Sequence, residues 1–127
     1  MNEISEKDVI DIENMIYEID GKEVMLDSDL AKLYNCKNGT KEINQAVKNN
    51  PEKFPSRYSF ILSNQEKENL RSKFLTTNIG NMSRSNPRVF TEQGVYMLAT
   101  ILKSKTATEV SIRIMDTFVT VSYTHLT

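Results

Sequence analysis

The residues of this sequence best suited to chemistry are hydrogen-bond donors spaced along one short stretch. The set consists of Lys41, Asn44, Gln45 and Lys48. Asn and Gln side chains can pair bidentately with adenine, while Lys suits guanine or a phosphate. In a helix, which turns by about 100° per residue, the set lies opposite the apolar side chains of Ile43 and Val47. The pattern therefore suits DNA recognition, and an ordinary helix with a solvated polar face is the alternative.

A second set of basic residues lies in a stretch of sequence that carries no acid. Between Glu68 and Glu92 the charged residues are Arg71, Lys73, Arg84 and Arg88. The polar segment "TTNIGNMSRSNP" within this stretch predicts a loop between two strands. Such a loop can act as a wing in which Arg84 and Arg88 reach phosphates or a minor groove, and Arg71 and Lys73 add phosphate contacts. A solvated loop is the alternative.

The charge of the chain is divided along its length. The net charge is −1 over 127 residues, yet residues 1–30 contain ten acids and two bases, which is a net −8. The other 97 residues contain 14 bases and seven acids, a net +7. This division suggests a basic working surface for a polyanion, balanced or shielded by the acidic start. Two solvated faces of opposite sign are the alternative.

Catalytic and metal sites find little support in the sequence. Cys36 is the only cysteine and His125, near the end of the chain, is the only histidine, so a structural zinc site within one chain is excluded. A phosphate-binding loop of the GxxxxGK[ST] type does not occur. A nuclease-like Mg²⁺ site would need the acids around the first predicted turn, but acids there also suit a hairpin and a helix start. We predict no enzyme, no cofactor and no metal.

The elements that must position the first set of donors begin with a hairpin. An Asp-Gly pair at 20–21 separates two β-type runs, and both residues tolerate the positive φ of a two-residue turn. A helix capped by Asp27 or Ser28 is then predicted to reach about Tyr34. Asn35 can end this helix in the left-handed conformation.

The donors themselves fall on the next predicted helix. Thr40 is its expected N-cap, and the segment "NNPEKFP" is expected to stop it after about Asn50, because two prolines cannot continue a helix. The two short helices joined by a turn predict a helix-turn-helix-like pair.

The rest of the chain predicts two short strands and three helices. The segment "RYSFIL" is typical of a strand, and Ser63 with Glu66 forms a capping box for a helix to about Phe74. The segment "RVF" predicts a short strand, and Thr91 is the expected cap of a helix to about Lys103. The predicted fold class is therefore α+β and mostly helical, with a helix-turn-helix-like pair and small β-hairpin and wing strands.

The last predicted helix raises the question of partner binding. Thr106 with Glu109 predicts a capping box at its start. Its apolar stripe consists of Val110, Ile114, Phe118 and Val121. We assign Val110 and Ile114 to the core, and for Phe118 and Val121 both the core and a two-fold dimer remain open.

The sequence also resembles a known family. The segments that carry the resemblance are "VMLDSDLAKLYN", "INQAVKNNPEKFP", "YSFILS", "RVFTEQGVYMLATILKSKTA" and "IRIMDTFV". In this order they are similar to the ORF-six-N domain, a KilA-N-related domain of phage and prophage regulators, over residues 16–119. The resemblance implies a DNA-binding module of phage or mobile-element origin, fused in antirepressor-like or transcription-regulating proteins to a C-terminal effector segment.

These observations lead to one functional hypothesis and one alternative. We expect a flexible acidic segment over 1–12, a DNA-binding domain over 13–121 and a disordered or non-native tail over 122–127. The domain is expected to bind double-stranded DNA in the cytoplasm of a bacterium or phage-infected host cell, since no apolar run approaches the length of a membrane span. The alternative is a protein-interaction module that binds a repressor, or a second copy as a homodimer, through the last helix.

Overall fold

A small antiparallel sheet forms the centre of the structure. The computed structural model describes residues 12–73 and 86–126 of the chain. The strands are β1 (Ile16–Ile19), β2 (Lys22–Leu26), β3 (Ser59–Ile61) and β4 (Arg88–Thr91). Their order across the sheet is β1-β2-β4-β3, and every neighbouring pair is antiparallel. The predicted hairpin is confirmed, with φ of 52° at Asp20 and 79° at Gly21, the positive values that its tight turn requires.

Five helices surround this sheet in the described part of the chain. They are α1 (Asp27–Leu33), α2 (Thr40–Asn49), α3 (Asn64–Lys73), α4 (Glu92–Leu102) and α5 (Lys105–Leu126). The capping box before α3 is confirmed: the Ser63 N–H donates to Glu66 Oε1 at 2.8 Å, and the Glu66 N–H donates to Ser63 Oγ at 3.1 Å. The chain is thus α+β and mostly helical, as predicted.

Three of the predicted helix starts are displaced by one or two residues. Helix α1 follows β2 directly, with Leu26 at its N-cap, so that Asp27 lies inside the first turn. Gly39, with φ of 62°, replaces Thr40 as the N-cap residue of α2. Ser104 rather than Thr106 caps α5, because its Oγ accepts the Ala107 N–H at 3.0 Å. Helix α1 starts directly after the last residue of β2, and Gly39 takes the N-cap position of α2 with a positive φ that favours glycine.

The sheet separates two apolar clusters. Alternate residues of each strand point to opposite faces, so Met25 and Phe90 pack with α1, α2, α4 and α5, whereas Val24 and Val89 face the other way. Leu70 of α3 packs into this second cluster. Helix α2 and helix α3 therefore lie on opposite faces of the sheet.

The last helix closes the larger cluster. Ile114 and Phe118 are buried, with 0% and 1% of their surfaces exposed, while Val110 and Val121 are half-buried. The open assignment of Phe118 is thereby decided in favour of the core. Helix α5 continues to Leu126, into the segment 122–127 for which the sequence predicted a disordered or non-native tail. Of the predicted flexible segment 1–12, residues 1–11 lie outside the described residues and Ile12 is buried in the larger cluster.

Candidate nucleic-acid interface

Helices α1 and α2 form the helical pair that the sequence predicted. They pack through buried Leu30 of α1 and buried Ile43 and Val47 of α2. The connecting turn begins at Asn35, whose φ of 58° confirms the predicted left-handed end of α1. The Cys36 N–H donates back to the carbonyl oxygen of Ala31 at 2.9 Å, which satisfies one of the last carbonyls of the helix. Apolar packing and a closed turn hold α2 against the body of the protein.

The outer side of α2 carries three of the four predicted donors. Lys41, Gln45 and Lys48 are exposed, and their spacing of four and three residues places them in one row. These three residues are named the contact row below. The Nε2 atom of Gln45 donates to Asn49 Oδ1 at 2.9 Å, so the amide of Gln45 is held within this row.

Asn44, the fourth predicted donor, does not lie in the contact row. Its Nδ2 atom donates to the Oδ2 atom of Asp27 at 3.0 Å and to the carbonyl oxygen of Thr40 at 3.0 Å. An amide nitrogen has two hydrogens, and both are used inside the protein. The expected base contact by Asn44 is therefore replaced by a link between α2 and α1.

Arg88 also lies inside the structure rather than on a wing. It is the first residue of β4, its side chain is half-buried, and its Nη1 atom donates to Ser59 Oγ at 3.0 Å. Burial lowers the pKa of Arg88, and the negative charge of Asp27 opposes that shift. The guanidinium is used to join β4 to β3, which conflicts with its predicted role as a wing anchor.

The remaining basic candidates are separated from the contact row. Arg71 and Lys73 belong to the last turn of α3, on the other face of the sheet, and their side chains lie outside the described structure. Arg84 and most of the predicted wing also lie outside the described residues. The structure thus brings together Lys41, Gln45 and Lys48, and it does not bring Arg71 or Lys73 to them.

The surface beside α3 is acidic in its described part. A groove there is lined by Glu18, Asp20, Glu66 and Asn69, among others. The carboxyl of Asp20 hydrogen-bonds Glu66, which raises the pKa of Asp20, while the Ser63 N–H is the main cause that lowers the pKa of Glu66. Carboxylates repel phosphates, so α2 offers the more favourable surface for a nucleic acid.

Asn49 is a further polar residue of this surface that the sequence prediction missed. It is exposed at the C-terminal end of α2 and accepts the hydrogen bond from Gln45. The signal was present, because residues four apart on a helix are neighbours.

The acids of the first turn of α1 do not form a metal site. Asp27 and Asp29 are both buried, and Oδ2 of Asp29 has no hydrogen-bond partner among the described residues. Burial raises the pKa of Asp29 to about 6, with Lys32 opposing the shift and Asp27 adding to it. No group of three or more His, Cys, Asp or Glu residues in the described ranges is arranged to hold a metal ion.

Comparison with known proteins gives one match. The family model described as the ORF6N domain matches residues 14–101, which confirms the resemblance found in the sequence. No curated protein and no solved structure matches the chain. Within residues 12–73 and 86–126, none of the helices has the length and apolar character needed to cross a membrane.

Proposed function

Because the chain belongs to the ORF6N domain family, a phage-type regulatory domain, we propose that it binds double-stranded DNA. In this proposal it is the DNA-binding domain of a phage or mobile-element transcription regulator or antirepressor. The observation that carries the proposal is the contact row on α2. Its lysines and amide are exposed along one helix, and the helix is held by apolar packing on its opposite side.

The proposed binding mode places α2 in the major groove, which is wide enough to admit a helix. Gln45 can then donate to and accept from the edge of an adenine. Lys41 and Lys48, one turn to either side of Gln45, are spaced to reach phosphates or a guanine. Glu42 lies beside the row, and its Oε1 accepts the N–H of Asn38 at 3.3 Å, which turns this carboxylate toward the α1–α2 turn.

The experiment that tests the proposal is fluorescence anisotropy with labelled duplexes. One duplex has a random sequence and a second pool comes from the neighbouring genomic region. Binding is measured at about 50 and 200 mM salt, where a footprint of several phosphates loses several decades of affinity. The Lys41→Ala/Lys48→Ala variant should reduce the slope of log K against log salt by about two units.

Lys105→Ala provides the matched control, since Lys105 is equally exposed but lies at the start of α5. It should leave the salt slope unchanged. Absence of salt-dependent binding by the wild-type protein would overturn the proposed function. An unchanged slope in the double variant would overturn the assignment of the contact row.

A second candidate function is self-association through α4 and α5. Three large apolar side chains are more than half exposed there: Tyr96 at 63%, Ile112 at 56% and Val119 at 59%. Ile112 and Val119 lie seven residues apart on α5, with Met115 between them. This is the a, d, a spacing by which helices of two chains pair. In the predicted apolar stripe of α5, Ile114 and Phe118 are buried. A dimer would therefore use the side of the helix that carries Ile112 and Val119.

Sedimentation equilibrium at micromolar concentration tests this candidate with a second copy as the partner. A dimer should dissociate in the Ile112→Glu variant and persist in the Thr106→Glu control, which adds the same charge at an exposed position of the same helix. High salt should leave an apolar dimer intact, whereas it should release DNA from the contact row. A monomeric wild-type protein would exclude the candidate.

A further inference from the structure

We propose that Asp27 and Asn44 are positioning residues whose hydrogen bond sets the orientation of α2 on the sheet. Through that orientation they decide which side chains of α2 meet the bases. The inference rests on the proposed DNA-binding function and adds to it a pair of residues that need not touch DNA.

Asn44 attaches α2 to α1. Its amide nitrogen makes one bond within α2, to the carbonyl oxygen of Thr40, and one bond between helices, to Asp27 Oδ2. The interhelical bond is 3.0 Å long and partly buried. It is a hydrogen bond to an ionisable group, a class that is stronger than a neutral pair.

Asp27 lies where β2 passes directly into α1, and only 6% of its surface is exposed. Leu26 is paired with Val89, the neighbour of Arg88 in β4, and the negative charge of Asp27 acts on Arg88. A buried carboxylate requires donors or a positive charge. Asn44 supplies the donor and Arg88 supplies the charge.

Arg88 is in turn hydrogen-bonded to β3. Its Nη1 atom donates to Ser59 Oγ at 3.0 Å, and Ser59 Oγ itself donates to the carbonyl oxygen of Val89 at 2.9 Å. Polar interactions therefore run from α2, through the junction of β2 and α1, to β4 and β3. Helix α2 is thereby linked to the central sheet at one defined point.

Apolar packing alone does not fix the rotation of α2 about its own axis. The remaining attachment of α2 is apolar, through Ile43, Ala46 and Val47. Apolar packing is non-directional, so it resists separation of the helix more than a small rotation about its axis. A hydrogen bond has a preferred length and angle. The Asp27–Asn44 bond can therefore fix the rotation that aims Gln45 at a base edge.

A positioning role predicts a result that a purely structural role does not. If the bond only stabilised the fold, its loss would reduce the folded fraction and weaken binding to every duplex equally. If it orients α2, its loss should weaken binding to a preferred sequence while phosphate-based binding to random DNA persists. The ratio of the two affinities is therefore the decisive measurement.

The experiment compares two duplexes: one selected by the wild-type protein from a randomised pool, and one of random sequence. Asn44→Ala should lower affinity for the selected duplex about tenfold, the size of one lost bidentate base contact. Its affinity for the random duplex and its salt slope should match those of the wild type. Asn50→Ala is the control, because Asn50 Nδ2 also donates to a carbonyl of α2, that of Ala46 at 2.9 Å, without joining another helix.

The exchanged pair Asp27→Asn/Asn44→Asp completes the test. It reverses donor and acceptor across the two helices but gives up the bond from residue 44 to the Thr40 carbonyl, so it should recover only part of the lost discrimination. Equal losses on both duplexes in Asn44→Ala, or full discrimination in that variant, would overturn the inference while leaving the proposed function intact. A wild-type protein that shows no salt-dependent DNA binding would overturn the proposed function, and the inference with it.

Discussion

Two regions of the molecule are rich in polar side chains, and they use them differently. On the contact row of α2 the side chains are exposed and project from one face of a helix. At the junction of β3, β4 and α4, formed by Ser59, Arg88, Thr91 and Gly94, the polar groups are hydrogen-bonded to the protein itself. Residue type alone therefore does not identify a binding surface. A donor that is exposed can contact a ligand, whereas a donor that is hydrogen-bonded within the protein serves the fold.

The junction also accounts for Thr91 and Gly94 of the segment "FTEQGVYML", which is part of the resemblance to the ORF6N domain. Thr91 Oγ1 donates to the carbonyl oxygen of Arg57 at 2.9 Å and accepts the Gly94 N–H at 3.4 Å, so one hydroxyl joins the loop before β3 to the start of α4. Gly94 packs directly against the backbone of Tyr58. Packing and hydrogen bonds within the protein thus account for Thr91 and Gly94.

Among the substitutions that test the difference between these two regions, Gly94→Ala is expected to have the largest effect on stability. A Cβ atom at this position would lie 1.9 Å from the carbonyl oxygen of Tyr58, so the backbone of α4 or of the β3 loop must move. We expect the free energy of unfolding to fall by about 3 kcal/mol, the upper part of the range for overpacking. Urea denaturation measures this change.

Gly39→Ala is the matched control for this substitution. Gly39 precedes α2 with φ of 62°, and an added Cβ meets nothing within 4 Å. Its cost should be about 2 kcal/mol, because the backbone here, with φ of 62° and ψ of −137°, lies in a region that residues with a Cβ atom rarely adopt. A smaller loss for Gly94→Ala than for Gly39→Ala would show that the junction is less rigid than the α2 region.

An effect that reaches a similar size only by pH 7 is expected from Asp29→Asn, which tests a third condition: a buried carboxyl oxygen that has no hydrogen-bond partner among the described residues. Because the pKa of Asp29 is raised to about 6, the folded state binds its proton more tightly than the unfolded state. As pH rises from about 4 to 6 the unfolded chain ionises first, so the wild-type protein loses stability in that window. Asn carries no charge and avoids this loss.

The expected result is a difference in stability that depends on pH. Below pH 4 the variant and the wild type should be similar, and by pH 7 the variant should be more stable by about 3 kcal/mol, since the pKa of Asp29 rises from 3.8 to about 6 and each pKa unit corresponds to about 1.4 kcal/mol. Thermal unfolding over this range measures the difference. A constant difference at all pH values would show that the carboxyl is solvated or paired.

Thr91→Val should have a smaller effect, confined to the junction. It removes the hydroxyl that caps α4 but keeps the shape of the side chain, so stability should fall by about 1 kcal/mol. Thr91→Ser keeps the hydroxyl and should recover much of the loss. DNA affinity per folded molecule should be unchanged in both variants, because the Thr91 hydroxyl bonds the backbone of Arg57, Tyr58 and Gly94 rather than the Asp27–Asn44 pair or the contact row.

Local signals predicted the elements of this fold better than their interactions. The Asp-Gly turn, the Ser63–Glu66 capping box and the Thr91 cap each depend on residues within a few positions of one another, and all three are confirmed. The caps expected at Asp27 and Thr40 were wrong. There β2 leads directly into α1, so that Leu26 is the N-cap residue, and Gly39, which can adopt a positive φ, takes the N-cap position before α2.

The candidate site shows the same limit. Helical spacing predicted that Lys41, Gln45 and Lys48 share an exposed face, since that depends only on the geometry of one helix. Asn44 and Arg88 are different, because their partners Asp27 and Ser59 lie 17 and 29 residues away in the sequence. No local pattern indicates a partner at such a distance, so these side chains looked like free donors.

The smallest expected effect, and the sharpest test of the comparison, is that of Arg88→Gln on DNA binding. Glutamine keeps an amide donor that can reach Ser59, but it removes the charge. If Arg88 serves only the junction, the slope of log K against log salt should equal that of the wild type, whereas Lys48→Ala should lower it by about one unit. Anisotropy titrations of both variants on one random duplex measure this difference. A loss of one unit in Arg88→Gln would mean that the guanidinium leaves Ser59 to contact a phosphate, because a charge that stays within the protein releases no counterion from DNA.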